Sequence, residues 1–304
     1  MTILDPLIAQ LDKQQQLPED HLRLFHGRGH CYPDLEFINI DWFKPLAWVV
    51  IYGQQSDDFL QQLNALLRRW AENNSDIACV AIQQRLKTGV VQTICYGQMP
   101  EESYAAEDGL RFHLKFSDNQ NIGFFADAKP ARQWVTQQAA NKRVLNLFAY
   151  TCSFSVAAIK GGAQSVLNMD MAKSAIVTGQ RNHALNDFEP SKANFLAHDI
   201  FRSTRKLESR GPYDLIILDP PSRQKGSFEA EKDYPRLLKR LAPMLAESAQ
   251  ILACLNAPYL GENFLAEIFA EHLPHYTMQQ RLAQREDFPE RDSNRCLKML
   301  VFSQ

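Results

Sequence analysis

Three aspartates in the second half of the chain each follow a run of apolar residues. Asp170 ends the run SVLNMD, Asp199 follows ANFLAH, and Asp219 ends YDLIILD. If these runs are parallel strands, their carboxyl ends meet at one edge of a sheet, which is where doubly wound folds bind ligands. A carboxylate at that edge can accept hydrogen bonds from hydroxyl or amino groups. The spacing therefore predicts a polar binding site built from strand ends.

The loop before Asp170 favours an adenosine ligand over a dinucleotide. Asp170 lies about 20 residues beyond the preceding strand end, the offset at which an acid binds ribose hydroxyls. The loop lacks the Gly-x-Gly-x-x-Gly pattern that a pyrophosphate requires. Its bulkier side chains fit a ligand without phosphates, which points to S-adenosylmethionine (SAM), with Asp199 accepting from the adenine amino group. The predicted cofactor-binding residues of these strand ends are Asn146, Phe148, Tyr150, Thr151, Asp170, Met171, Asp199, Ile200 and Asp219.

The string Asp219-Pro220-Pro221-Ser222 is the most specific signal in the chain. Proline fixes its own backbone and restricts the residue before it, so this strand end is predicted to be rigid. Methyl transfer depends mainly on alignment of the acceptor with the donor carbon. Asp219, Pro220 and Pro221 are therefore predicted to be catalytic, holding a flat base or an amine in place. The alternative is that the prolines simply end a strand.

The elements around these residues predict an α/β fold. From about residue 128, near-continuous apolar strands alternate with helices, which indicates a parallel sheet covered on both faces. The last two strands have no helix between them and predict an antiparallel edge. We expect a Rossmann-like methyltransferase sheet over 128–304, preceded by a small α+β domain over 21–127 for substrate recognition and a helix within 1–20.

Composition sets broad limits. The 304 residues are 45% hydrophobic and 22% charged, with a formal net charge of -2, a balance that decides neither for nor against a nucleic-acid partner. No apolar run reaches the roughly 20 residues of a membrane span, and no signal peptide is evident, so a cytoplasmic protein without membrane association is expected. The six cysteines occur singly in the sequence. We therefore expect free thiols and no metal site.

The region from about Lys142 to Gln304 resembles the class I SAM-dependent methyltransferases. LNLFAYT together with LDPPS is similar to the bacterial 23S ribosomal-RNA methyltransferases that make 5-methylcytosine and 7-methylguanosine. RLFHGRGHCYPDLEFINID resembles the small central domain of that family. NIGFFADAKPARQWV occupies the place of the family segment G-Y-Y-L-D-x-R-x-x-R, in which Asp127 and Arg132 match.

The resemblance implies SAM as cofactor, Asp127 and Arg132 as further cofactor-binding residues, and ribosomal RNA as partner. It covers nearly the whole chain, but the RNA-binding PUA domain of some members is missing. Related enzymes can pair through the small domain, so a homodimer is a further expectation.

Two cysteines depart from the family pattern. Cys152 stands where the family has the first glycine of Y-T-G-[GS], so its side chain could crowd the methionine part of SAM or be tolerated in a shifted loop. Cytosine-5 members carry a nucleophilic cysteine after the fifth strand. Here Cys254 is predicted to lie within that strand, with Asn256 nearer the tip. This favours direct transfer to a ring or exocyclic nitrogen.

Structural roles compete with these assignments. Asp170 could cap the helix that starts near Ala172, and Asp199 could cap the turn that follows it. Lys129 and Arg132 could be solvated charges, or could lie near the SAM carboxylate or an RNA phosphate. The charged loop REDFPERDSNR could cover the acceptor site, although such loops are usually solvent-exposed.

The leading functional hypothesis is a SAM-dependent methyltransferase that acts on a ribosomal-RNA base, flipped out of any duplex. One alternative is a methyltransferase for a protein or a small molecule, favoured by the mild acidity and the missing RNA-binding domain. The other is a non-catalytic binding protein on the same scaffold, motivated by Thr151-Cys152-Ser153.

Overall fold

The computed structural model describes residues 2–14, 16–116, 120–224, 228–261 and 263–304. The chain divides into two compact units, Met1–Ala126 with Arg285–Asp292 and Asp127–Gln284 with Ser293–Gln304. Among the described residues, no helix combines the length and apolar character needed to cross a membrane.

The first unit contains two helices and seven strands within its described residues. They are α1 (Asp5–Asp12), β1 (Leu22–His26), β2 (Ile38–Phe43), β3 (Leu46–Tyr52), α2 (Asp57–Glu72), β4 (Cys79–Leu86), β5 (Gly89–Gly97), β6 (Tyr104–Glu107) and β7 (Leu110–His113). Strands β1 to β5 form one sheet in sequence order, and β6 pairs with β7. Of Ser56 and Asp57, the two N-cap candidates in the sequence, Ser56 caps α2, because its Oγ accepts the Phe59 N–H at 3.2 Å. Apolar side chains of α1 and α2 share one core with this sheet.

The predicted hairpin of this unit was wrong in its pairing. We expected LRFHLKF to pair with NIGFFAD across the turn SDNQ, but β7 pairs with the preceding β6. The Lys115 N–H donates to the Ile122 carbonyl at 2.9 Å, so the two segments that were expected to pair do meet there. Residues 117–119 of the expected turn lie outside the described residues.

The segment Arg285–Asp292 packs into the first unit rather than standing in solvent, contrary to the sequence-based expectation for this loop. Phe288 is only 5% exposed. The Arg23 and Arg285 guanidinium carbons lie 4.3 and 5.1 Å from its ring centroid. Asp287 Oδ2 also accepts the Arg23 N–H at 2.8 Å. One aromatic ring between two arginines therefore holds a segment whose composition is otherwise that of an exposed loop.

The second unit carries the larger sheet. Its helices and strands are α3 (Lys129–Gln138), β8 (Arg143–Leu147), α4 (Ser153–Lys160), β9 (Ser165–Asp170), α5 (Lys173–Leu185), β10 (Ala193–Ala197), α6 (Thr204–Glu208), β11 (Tyr213–Leu218), β12 (Arg223–Gln224), β13 (Phe228–Glu229), α7 (Ala230–Leu241), β14 (Leu245–Leu255), α8 (Phe264–His272), β15 (Thr277–Arg281) and β16 (Lys298–Ser303).

The sheet order confirms the predicted fold. The strands run β10-β9-β8-β11-β14-β16-β15, the first five parallel and β16 antiparallel to both neighbours. Alternate strand residues pack on opposite faces, one against α3 and α4 and the other against α7 and α8. Burial of both faces explains why these strands read as continuous apolar runs. The order reverses between β8 and β11, which places the switch point where their carboxyl ends meet.

Candidate active site

The loop between β8 and α4 has an unusual backbone. Phe148, Tyr150 and Cys152 have φ angles of 57°, 46° and 61°, in the left-handed region that side chains other than glycine rarely adopt. Each such residue costs about 1 kcal/mol or more, and residues of this kind concentrate at ligand-binding sites. The loop therefore stores strain at the carboxyl end of β8, where the sequence predicts the cofactor.

Asp170 ties this loop to the end of β9. Its Oδ2 accepts the Tyr150 N–H at 2.8 Å and its Oδ1 accepts the Ala172 N–H at 2.8 Å. Helix α5 begins at Lys173 without a side-chain cap. Asp170 is therefore not the N-cap of this helix, which was the structural alternative to a ligand role. The carboxylate instead joins two strand ends that border the cleft.

The Asp170 carboxylate also fits a ribose diol. A carboxylate can accept about four hydrogen bonds, and the two backbone bonds described here use one position on each oxygen. One acceptor position on each oxygen matches a pair of neighbouring hydroxyls. Met171, which follows directly, is 51% exposed and presents apolar surface beside the carboxylate. These residues suit the ribose and adenine of SAM.

The Cys152 side chain is directed into the core. Its side chain is fully buried, and it packs with Ala149 and Ile176. It is directed at Gly179 of α5, where an added Cβ would lie 2.4 Å from the Cys152 sulfur. The absence of a side chain at Gly179 therefore makes the space that Cys152 needs. This packing supports the second of the two expectations for the missing family glycine, that a side chain is tolerated there.

A buried polar network supports the loop from behind. Asn146 Nδ2 donates to Asn168 Oδ1 at 2.9 Å, and Asn168 Nδ2 donates to Ser155 Oγ at 2.9 Å. His183 Nε2 lies 2.9 Å from the same hydroxyl, and burial lowers the pKa of His183 to about 4. Asn146 is wholly buried and supports the loop through this network, and its contact with the cofactor stays a prediction.

Asn182 fixes the loop directly, although the sequence reading did not select it. Its Nδ2 donates to the Thr151 carbonyl at 2.9 Å, and both residues are buried. Gly179 and Asn182 lie one turn apart on the face of α5 that meets the loop. The available signal was a glycine and an amide within a single helix, which is too common to indicate a site.

Asp219 lies at the tip of β11, directly after Leu218, which pairs with Leu147 of β8. Burial raises the pKa of the Asp219 carboxyl to about 7, and the nearby Asp127 carboxylate adds to this while Arg132 opposes it. Such a carboxyl gains or loses its proton near neutral pH, which suits a group that exchanges a proton with an acceptor. Among the described aspartates with a resolved pKa shift, only Asp219 has a pKa that is clearly raised.

Arg132 is not a solvated charge. It lies on α3 and is 2% exposed, close enough to Asp219 to lower its pKa. Asp127, on the 3-10 turn before α3, raises the same pKa. The Asp127 and Arg132 pair singled out from the resemblance therefore acts on the charge of Asp219. Binding of the cofactor by this pair stays a prediction.

The two prolines lead into a fixed turn. Pro220 is buried, Pro221 is partly buried, and the Ser222 carbonyl accepts the Ala230 N–H at 3.1 Å at the start of α7. The strand therefore ends in a segment whose backbone is held at both ends. This agrees with the rigidity predicted from the sequence.

Asp199, the third strand-end aspartate, caps a turn. Asp199 Oδ1 accepts the Arg202 N–H at 3.1 Å, which caps the turn that follows β10. Ile200 packs in the core, and its contact with the cofactor stays a prediction. Contact between Asp199 and adenine stays a prediction.

Cys254 lies inside β14, as predicted, and pairs with Met299 of β16. Its side chain is buried against the core beneath α3 and α4. Burial and the nearby Asp219 and Asp127 raise the pKa of its thiol well above the ordinary value. A thiol held in its protonated form is a poor nucleophile. All six cysteines are unbridged, and the described residues contain no group of three or more side chains suited to a metal.

Comparison with known proteins gives a consistent result. Residues 22–303 match the family model described as S-adenosylmethionine-dependent methyltransferase. The chain is 36% identical over 151 residues to ribosomal RNA large subunit methyltransferase I of Aeromonas salmonicida, an alignment that covers 48% of this chain and 37% of that protein. It is 32% identical over 294 residues to putative ribosomal RNA large subunit methyltransferase YwbD of Bacillus subtilis, covering 88% and 69%.

A solved structure supports the fold. A putative methyltransferase complexed with SAH superposes with a TM-score of 0.86 at 23% identity, covering 99% of this chain and 81% of that one. The chain spans less than two fifths of the length of the Aeromonas relative. The match of the family model over nearly all of the sequence decides the family. With its sheet order and the carboxylates at its strand ends, the chain belongs to the S-adenosylmethionine-dependent methyltransferase family.

Proposed function

We propose that the protein transfers a methyl group from SAM to a nitrogen of a ribosomal-RNA base. The observation that carries this proposal is the Asp219 carboxyl, whose pKa is raised to about 7 beside Asp127 and Arg132. It follows β11, and β8 separates β11 from β9, the strand that ends in Asp170. The names of the relatives support ribosomal RNA as the acceptor.

The residues of the cofactor site have separate tasks in this proposal. SAM supplies an electrophilic methyl group when it is bound. Asp170 accepts hydrogen bonds from the ribose, and Met171 packs on the adenine ring. Tyr150 donates its N–H to Asp170, so the loop after β8 keeps the carboxylate oriented. Each part of the site is fixed before the cofactor arrives, which lowers the entropy lost on binding.

Asp219 is the group that handles the acceptor. Its carboxylate accepts a hydrogen bond from an N–H of the base and thereby orients the nitrogen lone pair. As the nitrogen–methyl bond forms and the sulfur–methyl bond breaks, the nitrogen becomes positive and its proton passes to Asp219. The buried, protonated Cys254 offers no thiolate for attack on a pyrimidine carbon, which favours nitrogen over the cytosine C5 position.

Asp170→Asn is expected to weaken SAM binding about 10-fold to 100-fold, because a charge-assisted hydrogen bond contributes about 1.5–3 kcal/mol. Calorimetric titration with SAM and with S-adenosylhomocysteine measures this. Asp187→Asn is the matched control, since Asp187 is exposed after α5 and has a φ of 55°, which asparagine also tolerates. Equal affinities of the Asp170→Asn and wild-type proteins would remove Asp170 from the site.

The function itself is tested with ribosomal RNA from a strain that lacks the protein. The purified protein and labelled SAM should introduce a methyl group into the large-subunit RNA, and nucleoside mass spectrometry should locate it on nitrogen. Formation of 5-methylcytosine would contradict the assignment to nitrogen. Labelling of protein or of small molecules, with none in RNA, would favour the alternative acceptors.

Two further features go with this proposal. A cytoplasmic location is the place where ribosomal RNA is accessible to such an enzyme. A homodimer is the expected assembly, and light scattering of the full chain would decide between one and two copies.

A further inference from the structure

Tyr259 is an exposed aromatic ring beside the predicted catalytic turn. It is 56% exposed, the highest fraction among the large apolar and aromatic side chains described as exposed. Its hydroxyl donates to the Ser222 carbonyl at 3.3 Å. Ser222 is the last residue of the Asp219-Pro220-Pro221-Ser222 string. The ring is therefore attached to the turn that carries Asp219, while much of its surface remains open.

The backbone around Tyr259 is also fixed. The Ala257 carbonyl accepts the Leu260 N–H at 3.2 Å and a bond from Lys298 Nζ at 3.2 Å. Lys298 is buried, and Leu260 packs into the core under this part of the sheet. Asn256, which follows β14 directly, is exposed on the same short loop. A ring fixed through both its backbone and its hydroxyl keeps one orientation and loses little entropy when something stacks on it.

We propose that Tyr259 is the stacking platform for the acceptor base, so that the base lies on its ring with an edge toward Asp219. This inference rests on the proposed function and names a residue that receives the RNA. Enzymes that modify a base inside RNA or DNA must remove it from its stack, and the unstacked base is then held against aromatic or apolar side chains. The described catalytic turn carries no aromatic residue of its own, and Tyr259 supplies one through the bond to Ser222.

The consequence is a change in RNA affinity without a change in cofactor affinity. Loss of one base–aromatic stack corresponds to about 10-fold to 100-fold in binding. Tyr259→Leu keeps apolar bulk but removes the ring, so its KM for ribosomal RNA should rise by that factor. Tyr259→Phe keeps the ring and removes only the bond to Ser222, so its KM should rise no more than about threefold.

The experiment measures methyl incorporation into ribosomal RNA from a strain lacking the protein, over a range of RNA concentrations. SAM affinity is measured by calorimetry on each variant and should equal that of the wild type. Met278→Ala, which removes a side chain that is 49% exposed on β15, controls for loss of exposed apolar surface.

The outcomes separate this inference from the proposed function. A raised KM in Tyr259→Leu, with Tyr259→Phe close to the wild type, supports the stacking platform. An unchanged KM in Tyr259→Leu, in a protein that does methylate RNA, overturns the inference alone. Equal loss in both variants also overturns it, because the hydroxyl bond rather than the ring would then matter. A wild-type protein that binds SAM and labels no RNA overturns both proposals together.

Discussion

Asp219→Asn is expected to lower methyl transfer by about 100-fold to 10,000-fold, the range that one positioned acid or base contributes, while SAM affinity changes little. The same variant should be more stable than the wild type at pH 8. Both effects have one cause, namely that the folded protein holds the Asp219 carboxyl in surroundings that disfavour its charge. The carboxyl group that is proposed to serve the reaction therefore lowers the stability of the folded protein when it is ionised.

The sign of the stability effect follows from the pKa. Asp219 has a pKa of about 7 in the folded protein against an ordinary value of 3.8. Between these values the folded state binds more protons than the unfolded state, so the free energy of unfolding falls as pH rises from about 4 to 7. Asparagine carries no charge at any pH. Since each pKa unit is worth about 1.4 kcal/mol, we expect a gain of about 1–3 kcal/mol at pH 8 after allowance for partial exposure.

Asp214, which lies in β11, is expected to have the opposite effect on stability. Partial burial acts to raise the pKa of Asp214, but the hydrogen bonds from Arg143 outweigh this and hold it below its usual value. Arg143 donates its backbone N–H at 2.8 Å and its Nε–H at 3.1 Å to Asp214 Oδ2. Asp214→Asn should therefore lose about 1 kcal/mol at pH 8, a modest figure because both side chains are partly exposed.

Thermal unfolding at pH 5 and pH 8 compares the three proteins. The difference between Asp219→Asn and the wild type should be larger at pH 8, and Asp214→Asn should show the reverse sign. In the wild type, kcat should rise with pH through about 7, because the ionised carboxyl accepts the proton. If Asp219→Asn melts below the wild type at pH 8, its carboxyl does not carry the destabilising charge described here.

The sequence predicted the strand-end carboxylates because their signal is local. Asp170 and Asp219 each follow a continuous apolar run, and parallel strands bring such ends to one edge. The two prolines after Asp219 are equally local, since they act on their own backbone. The antiparallel edge formed by β15 and β16 was also predictable, because no helix separates those strands.

Other features depend on partners far along the chain, and the sequence could not predict them. The resemblance singled out Arg132, but its burial and its effect on the pKa of Asp219 depend on the fold. The charged composition of the loop around Phe288 indicates solvent exposure, yet its ring packs between two arginines. The bond from the Arg202 N–H to Asp199 Oδ1 likewise depends on the turn that follows β10, and it does not decide whether Asp199 binds adenine. Whether Cys152 blocks the cleft depends on a residue of another helix.

Gly179→Ala is expected to destabilise the protein and to weaken SAM binding, and Cys152→Gly is expected to restore both. The added Cβ would lie 2.4 Å from the Cys152 sulfur and 2.9 Å from its Cβ. Both positions are buried, so the contact is relieved only by movement of the loop or of α5. Overpacking of this kind costs about 1–3 kcal/mol. Because the loop also carries Tyr150, which bonds to Asp170, its displacement should reach the cofactor site.

The rescue separates this contact from a general intolerance of change in α5. In a Cys152→Gly background the clash is gone, and alanine gains about 1 kcal/mol over glycine within a helix. Gly179→Ala should therefore be neutral or stabilising there, with a coupling energy above about 1 kcal/mol in the double-mutant cycle. Cys152→Gly alone relieves a φ of 61° but leaves a small void, so its own effect should be small.

Urea unfolding and SAM titration of the four proteins measure the cycle. Gly261→Ala is the control for a glycine replacement, since an added Cβ there meets nothing within 4 Å. Additive effects of the two changes would mean that the sulfur and the helix do not compete for this space. A coupled result would show that the fold accommodates the Cys152 side chain because Gly179, on another helix, has none. The conformation of the cofactor loop would then depend on two positions that are far apart in the sequence.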